Sequence, residues 1–227
     1  MMHRTHLITG AGSGIGRVLA QRLLERGDAV HAVVRTAGRA PEGCVELVAD
    51  LTDDAAIAAL DLPAELDSVL HVAGAVELAP IGEITAADLR AQIDVNLVAP
   101  VLLTRVALPA LRVRRGLVLF VNSSAGLSAS PTWSAYAASK FGLRAVADAL
   151  RAEEQTSGVR VTTVFPSRTA TPMQEKVHEQ EGGVYDAARW IRPETVVETI
   201  LHVLDLPADA TIPDVTIRPL VPRPSAS

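Results

Sequence analysis

Two side chains whose types and spacing suit proton transfer stand near the middle of the chain, in the run Tyr136-Ala137-Ala138-Ser139-Lys140. On a helix, residues four apart share a face, with about 5–6 Å between Cβ atoms. A lysine charge held there favours the ionised phenol and lowers a pKa that starts near 10, toward proton transfer at neutral pH. The 227 residues include two tyrosines and, among 21 basic residues, two lysines, so this pairing is roughly a 2% event by chance. Ser123 lies thirteen residues before Tyr136 and just after the apolar run 117–121, which puts its hydroxyl at the carboxyl end of an expected strand. Ser124, its neighbour, could reach the same place.

A second group of residues suits a phosphate. Thr9-Gly10-Ala11-Gly12-Ser13-Gly14-Ile15-Gly16 follows one apolar run and precedes a helix-like stretch. Glycines let a backbone turn sharply and approach a pyrophosphate, and a following helix offers unpaired N–H groups at its positive end. In such a site an acid at the end of the second strand holds ribose hydroxyls and repels a 2′-phosphate. Here Val34 stands where that acid is expected, followed by Arg35, with Arg39 nearby. Arg35 could pair with a 2′-phosphate, which favours NADP over NAD; a solvated loop arginine is the plainer reading.

The elements that must position these groups are legible as a pattern. Apolar runs at 6–9, 29–34, 45–49, 68–72, 117–121, 159–165 and 215–218 are near-continuous rather than alternating, as in strands buried on both faces. Between them, 17–26, 88–111 and 135–154 read as helices, the last two rich in Ala and Leu. Strands alternating with crossover helices imply an α/β, Rossmann-like, doubly wound and mostly parallel sheet of about seven strands, with helices on both faces. Residues 1–227 are expected to form a single domain, the proline-rich tail carrying one last strand and then fraying. Ligands of such a sheet sit beyond the carboxyl ends of its strands, at the switch in strand order.

Ser123, Tyr136 and Lys140, with the glycine turn, resemble the short-chain dehydrogenase/reductase family over nearly the whole chain. The resemblance implies hydride transfer between a nicotinamide and a small carbonyl/alcohol pair, with Tyr136 exchanging a proton with the substrate oxygen and Ser123 hydrogen-bonding it. By the same resemblance Lys140 also binds the nicotinamide ribose, and Asn96, in Asp94-Val95-Asn96-Leu97, supports a lysine-linked water chain. The family's Ser-x-x-Gly spacing ahead of Gly126 favours Ser123 over Ser124. Asp50, in Asp50-Leu51, would meet the adenine amino group; a helix cap for the segment beginning at Thr52 or Asp53 is its alternative role. Ala73-Gly74 resembles half of the family's Asn-Asn-Ala-Gly motif, His71-Val72 standing where the asparagines would be. Pro166-Ser167-Arg168-Thr169-Ala170-Thr171 resembles a Pro-Gly-x-x-x-Thr segment, so Thr171 and the backbone near Thr169 would hold the carboxamide. Serine in place of the glycine is expected to restrict that turn. Residues 172–192, with Gly182-Gly183, Tyr185 and Trp190, suit a substrate lid, and Trp133 could line the same pocket.

Composition narrows the alternatives. A net charge of −5 and a longest basic group of Arg112, Arg114 and Arg115 give no footing for nucleic acid. One cysteine, Cys44, excludes an intrachain disulfide or a Cys-rich zinc site, and the six histidines form no metal-like spacing. No uninterrupted apolar stretch approaches the roughly 18 residues of a membrane span. The expectation is a cytoplasmic enzyme without a metal, acting as a homodimer or homotetramer. An NAD-dependent dehydrogenase of the same fold and a non-catalytic dinucleotide sensor are its rivals.

Overall fold

The computed structural model describes residues 3–220. Seven strands form one parallel sheet: β1 (Thr5–Thr9), β2 (Ala29–Val34), β3 (Val45–Val48), β4 (Ser68–His71), β5 (Leu117–Val121), β6 (Arg160–Pro166) and β7 (Asp214–Ile217). Their spatial order is β3-β2-β1-β4-β5-β6-β7, every pair parallel. The order reverses between β1 and β4, so the loops leaving those strands diverge to opposite faces and open a crevice.

Helices cover both faces because each strand exposes apolar side chains on both. Against one face lie α1 (Gly14–Glu25) and α7 (Pro193–Leu204), with Leu19, Leu23, Val196 and Ile200 packed on Ile8, Leu70 and Leu119. Against the other lie α4 (Ala99–Arg114) and α5 (Ser134–Glu153), with Leu103, Leu111, Leu143 and Ala147 on Leu7, Val69, Val118 and Phe120. β4 and β5 are buried at every position. The expectation of burial on both faces fails at the edges: Val45 and Val48 of β3 are 52% and 58% exposed, since an edge strand has no neighbour to carry a helix across it. The last strand pairs with β6 as expected, and the fraying expected of 221–227 lies outside the described residues.

The helix expected over 88–111 is longer and broken. It runs as α3 (Ala86–Ile93), a π-turn at Asp94–Val98, then α4. The whole run, Ala86–Arg114, is 29 residues with a mean hydropathy of 1.5 in its most apolar window, enough by length and composition to cross a membrane. Its side chains Leu103, Ala107 and Leu111 are instead fully buried against the sheet. A π-turn inside a helix marks a local demand that overrides the regular hydrogen-bond ladder, and Asn96 sits within it. Of the remaining helices, α2 (Asp54–Ala58) follows β3 and α6 (Pro172–Gln180) follows β6.

Candidate active site

A continuous cleft of about 1080 Å³ runs along the carboxyl ends of β1, β2, β4, β5 and β6, from Arg35 at one end to Trp190 at the other. Its first half is built from the glycine turn. Gly10 has φ +77, and a Cβ there would stand 2.8 Å from the Ala73 backbone nitrogen. A Cβ on Gly16 would stand 2.2 Å from the Gly10 carbonyl oxygen, so no larger residue lets α1 begin where it does. Ser13 is the N-cap of α1 but makes no capping hydrogen bond, and Ile15 lines the cleft beside it. Thr9 supplies what the half-present motif lacks: its hydroxyl accepts from the Val72 and Ala73 backbone N–H groups, both at 3.1 Å, and fixes the segment leaving β4.

At the far end of this half, Arg35 and Arg39 are exposed cleft residues, and no acid stands at Val34. Asp50 and Leu51 line the same end. The Asp50 carboxylate accepts from the Thr52 N–H and hydroxyl, which hold its pKa below the usual range, with a smaller contribution from Arg35. The helix-cap alternative belongs to Asp53 instead, whose carboxylate accepts from the Ala55 and Ala56 N–H groups at the start of α2.

The second half gathers the candidate catalytic residues. Tyr136 and Lys140 lie one turn apart on α5, 7% and 3% exposed. The Lys140 Nζ is 5.7 Å from the phenol ring centre and donates to the Val121 carbonyl at 3.1 Å. The expectation that the lysine lowers the tyrosine pKa is overturned. Burial pushes Tyr136 up to about 12, and a hydrogen bond with the Ser123 hydroxyl opposes it only in part. Burial also brings Lys140 down to about 8. Both groups have lost their water together, and desolvation is the largest cause of each shift.

Of the two adjacent serines, Ser123 is the one that hydrogen-bonds Tyr136, although both line the cleft. Its partner on the chain, Asn122, was invisible in the motif. The buried Asn122 amide donates to the Lys140 carbonyl at 2.9 Å and accepts from the Ser123 N–H at 2.8 Å, tying the end of β5 to the middle of α5. Asn96 is fully buried. Its Oδ1 accepts from the Ala75 N–H at 2.8 Å, while Nδ2 donates to the Ala75 carbonyl and to the Ser139 hydroxyl. A Cβ on Gly74 would meet Asn96 Oδ1 at 3.3 Å and lie 3.9 Å from Lys140 Nζ, so Gly74 keeps the passage between them open.

Beyond β6, Pro166, Thr169 and Thr171 line the cleft, Thr169 buried with its hydroxyl on the Ser167 carbonyl. Thr171 caps α6 by accepting from the Gln174 N–H, and its methyl group would be 3.2 Å from a Cβ on Gly14. Ser167 does not adopt positive φ, so the expected restriction of this turn does not arise. Trp133 packs edge-on to Tyr136, ring centres 5.7 Å apart, and is preceded by Thr132 at φ +68. A β-branched residue is strained there, at a cost on the order of 1–2 kcal/mol, and strain of this kind concentrates at functional sites.

A nicotinamide dinucleotide fits these residues: glycines leave the space a Cβ would fill, α1 begins in the cleft, and basic side chains stand at the phosphate end.

Comparison with known proteins agrees with the geometry. A family model described as short chain dehydrogenase matches residues 4–182. An uncharacterized short-chain type dehydrogenase/reductase from Sinorhizobium fredii is 32% identical over 211 residues, 88% of this chain and 85% of that protein. The closed form of serine dehydrogenase complexed with NADP+ superimposes with a TM-score of 0.85 at 25% identity, covering 98% of both chains. A 4-hydroxyisoleucine dehydrogenase complexed with NADH gives 0.81 at 26% identity, covering 95% of this chain and 96% of that one.

Proposed function

The chain belongs to the short-chain dehydrogenase/reductase family, and from that premise we propose that it is an NADP-dependent oxidoreductase interconverting a small carbonyl compound and its alcohol. It is an oxidoreductase with a nicotinamide dinucleotide site; the choice of NADP rests on Arg35 and on Val34 in place of an acid. When bound, the dinucleotide supplies or accepts the hydride. The observation that carries the mechanism is the buried Tyr136 hydroxyl joined to Ser123 beside Lys140.

In the direction of reduction, a carbonyl oxygen seated between Ser123 and Tyr136 takes the phenolic proton as hydride reaches its carbon. With its pKa near 12, the phenol is fully protonated at neutral pH and ready to donate. The Ser123 hydroxyl shares the developing negative charge. Lys140, still mostly protonated at neutral pH, would hold the ribose and stabilise the tyrosinate once the proton has left. Asn96 holds Ala75 and, through Ser139, the helix that carries both residues. Thr171 and the backbone near Thr169 would hold the carboxamide.

The same reading includes residues 172–192 as a lid over one catalytic domain, supported by the Val177 contact with the cluster of Val76, Ala125 and Tyr136 and by the Lys176–Glu77 ion pair at 2.6 Å. It also includes a cytoplasmic homodimer or homotetramer; the exposed apolar side chains Leu89, Val101 and Phe141 on α3, α4 and α5 support the assembly. The test is NADPH oxidation against a broad panel of carbonyls. Tyr136→Phe should abolish turnover and leave cofactor binding intact; turnover surviving in that variant refutes the mechanism. Tighter binding of NADH than NADPH refutes the cofactor assignment.

A further inference from the structure

Arg168 leaves the end of β6 and enters the cleft with its side chain 17% exposed. Its guanidinium lies 5.5 Å from the ring centre of Trp133 and 5.6 Å from that of Trp190, the two tryptophans of the chain. Both terminal nitrogens donate to the Glu181 carboxylate, at 2.7 and 2.5 Å. Trp133 in turn packs on Tyr136, so one indole separates this charge from the phenol. Glu181 takes one hydrogen from each terminal nitrogen; Nε–H and the second hydrogen of each Nη have no partner among the described residues.

We propose that Arg168 recognises a carboxylate on the substrate, which is therefore an oxo acid or the matching hydroxy acid, and that Glu181 occupies that site when no substrate is bound. The inference deepens the carbonyl–alcohol reading and rests on it. A planar guanidinium flanked by two indoles and only 17% exposed is partly desolvated, which suits a two-pronged anion better than any neutral group. The electrostatics of the cleft agree. Although the protein carries a net charge of −5, five cationic side chains line the cleft among the described residues, against the carboxylates Asp50 and Glu181. Arg35 and Arg39 stand at the dinucleotide end; Arg168, Lys140 and Arg218, the last just after β7, line the remainder. Glu181 follows α6, so a substrate carboxylate that displaces it also changes how that helix is held over the cleft.

Both tryptophans flank Arg168, so intrinsic emission reports directly on its partner. The probes are butanoate, methyl butanoate and butylammonium, titrated into the NADPH-bound protein. Butanoate should change the emission saturably and the other two should not. Glu181→Gln removes the internal competitor and should tighten butanoate binding about tenfold; Arg168→Met should weaken it at least about thirtyfold, with Arg168→Lys in between. Weaker or unchanged binding in Glu181→Gln, undiminished binding in Arg168→Met, or saturation by butylammonium overturns the proposal. A kinetic arm compares 4-oxopentanoate with its methyl ester: the acid should be preferred in kcat/KM, and Arg168→Met should erase the preference. Turnover of neither compound, nor of any carbonyl, counts against the reaction, while the emission titration still decides the role of Arg168.

Discussion

Replacing Lys140 with methionine should stabilise the protein free of cofactor, by an amount that depends on pH in a defined way. The ammonium group is 3% exposed and has the Val121 carbonyl as its hydrogen-bond partner. Burial lowers its pKa from 10.5 to about 8, so folding charges the group in a place that disfavours charge. A depression of that size corresponds to about 3 kcal/mol at about 1.36 kcal/mol per unit. Losing the hydrogen bond to Val121 returns about 1 kcal/mol of that. The methionine variant should therefore be more stable by about 2 kcal/mol near pH 7, as read from urea unfolding. Below pH 8 both folded and unfolded chains hold the proton, and the difference is constant. Between 8 and 10.5 the unfolded chain binds more protons than the folded one, so the stability of the wild type rises with pH relative to the variant. The advantage of methionine should vanish toward pH 10, while Tyr136, present in both proteins, largely cancels. A less stable variant near pH 7, or a difference that does not change between pH 7 and 10, would refute the argument. The same variant should lose turnover, since the group that costs stability is the one the proposed chemistry uses.

Three further outcomes follow from the geometry. Gly16→Ala should cost NADPH affinity at least about a hundredfold, because its Cβ would press on the Gly10 carbonyl at 2.2 Å and open the turn; fluorescence titration measures this. Asn96→Ala should destabilise by about 2–3 kcal/mol in urea unfolding, since both backbone groups of Ala75 lose their partner. Arg35→Glu should lower the NADPH-to-NADH ratio of kcat/KM by about tenfold or more, by removing a cation and adding an anion where a 2′-phosphate would lie.

What the sequence disclosed, and what it hid, divide along physical lines. Strands buried between two layers of helices are largely apolar, and that is why β5 can be located to the residue and β4 to within one, while the edge strand β3 differs from its neighbours in exposure. The glycine turn is legible for a similar reason: at Gly10 and Gly16 the excluded side chain has nowhere to go. Asn122, and what Thr9 does within its motif, were hidden because each acts through backbone groups that any sequence possesses, the Lys140 carbonyl in one case and the Val72 and Ala73 amides in the other. Only the fold brings those groups within reach. The tyrosine–lysine spacing was read correctly as a shared helix face, but the net shift of the phenol runs upward, because spacing reports proximity and says nothing of lost water. The same limit applies to Arg168. In the sequence it is one arginine inside a loop motif; its meaning comes from two tryptophans and a glutamate contributed by separate segments. Residues that contact the cofactor answer to a ligand of constant shape and so form local motifs. The groups around Arg168 come from three separate stretches of chain, so no local motif announces a guanidinium one indole away from the phenol.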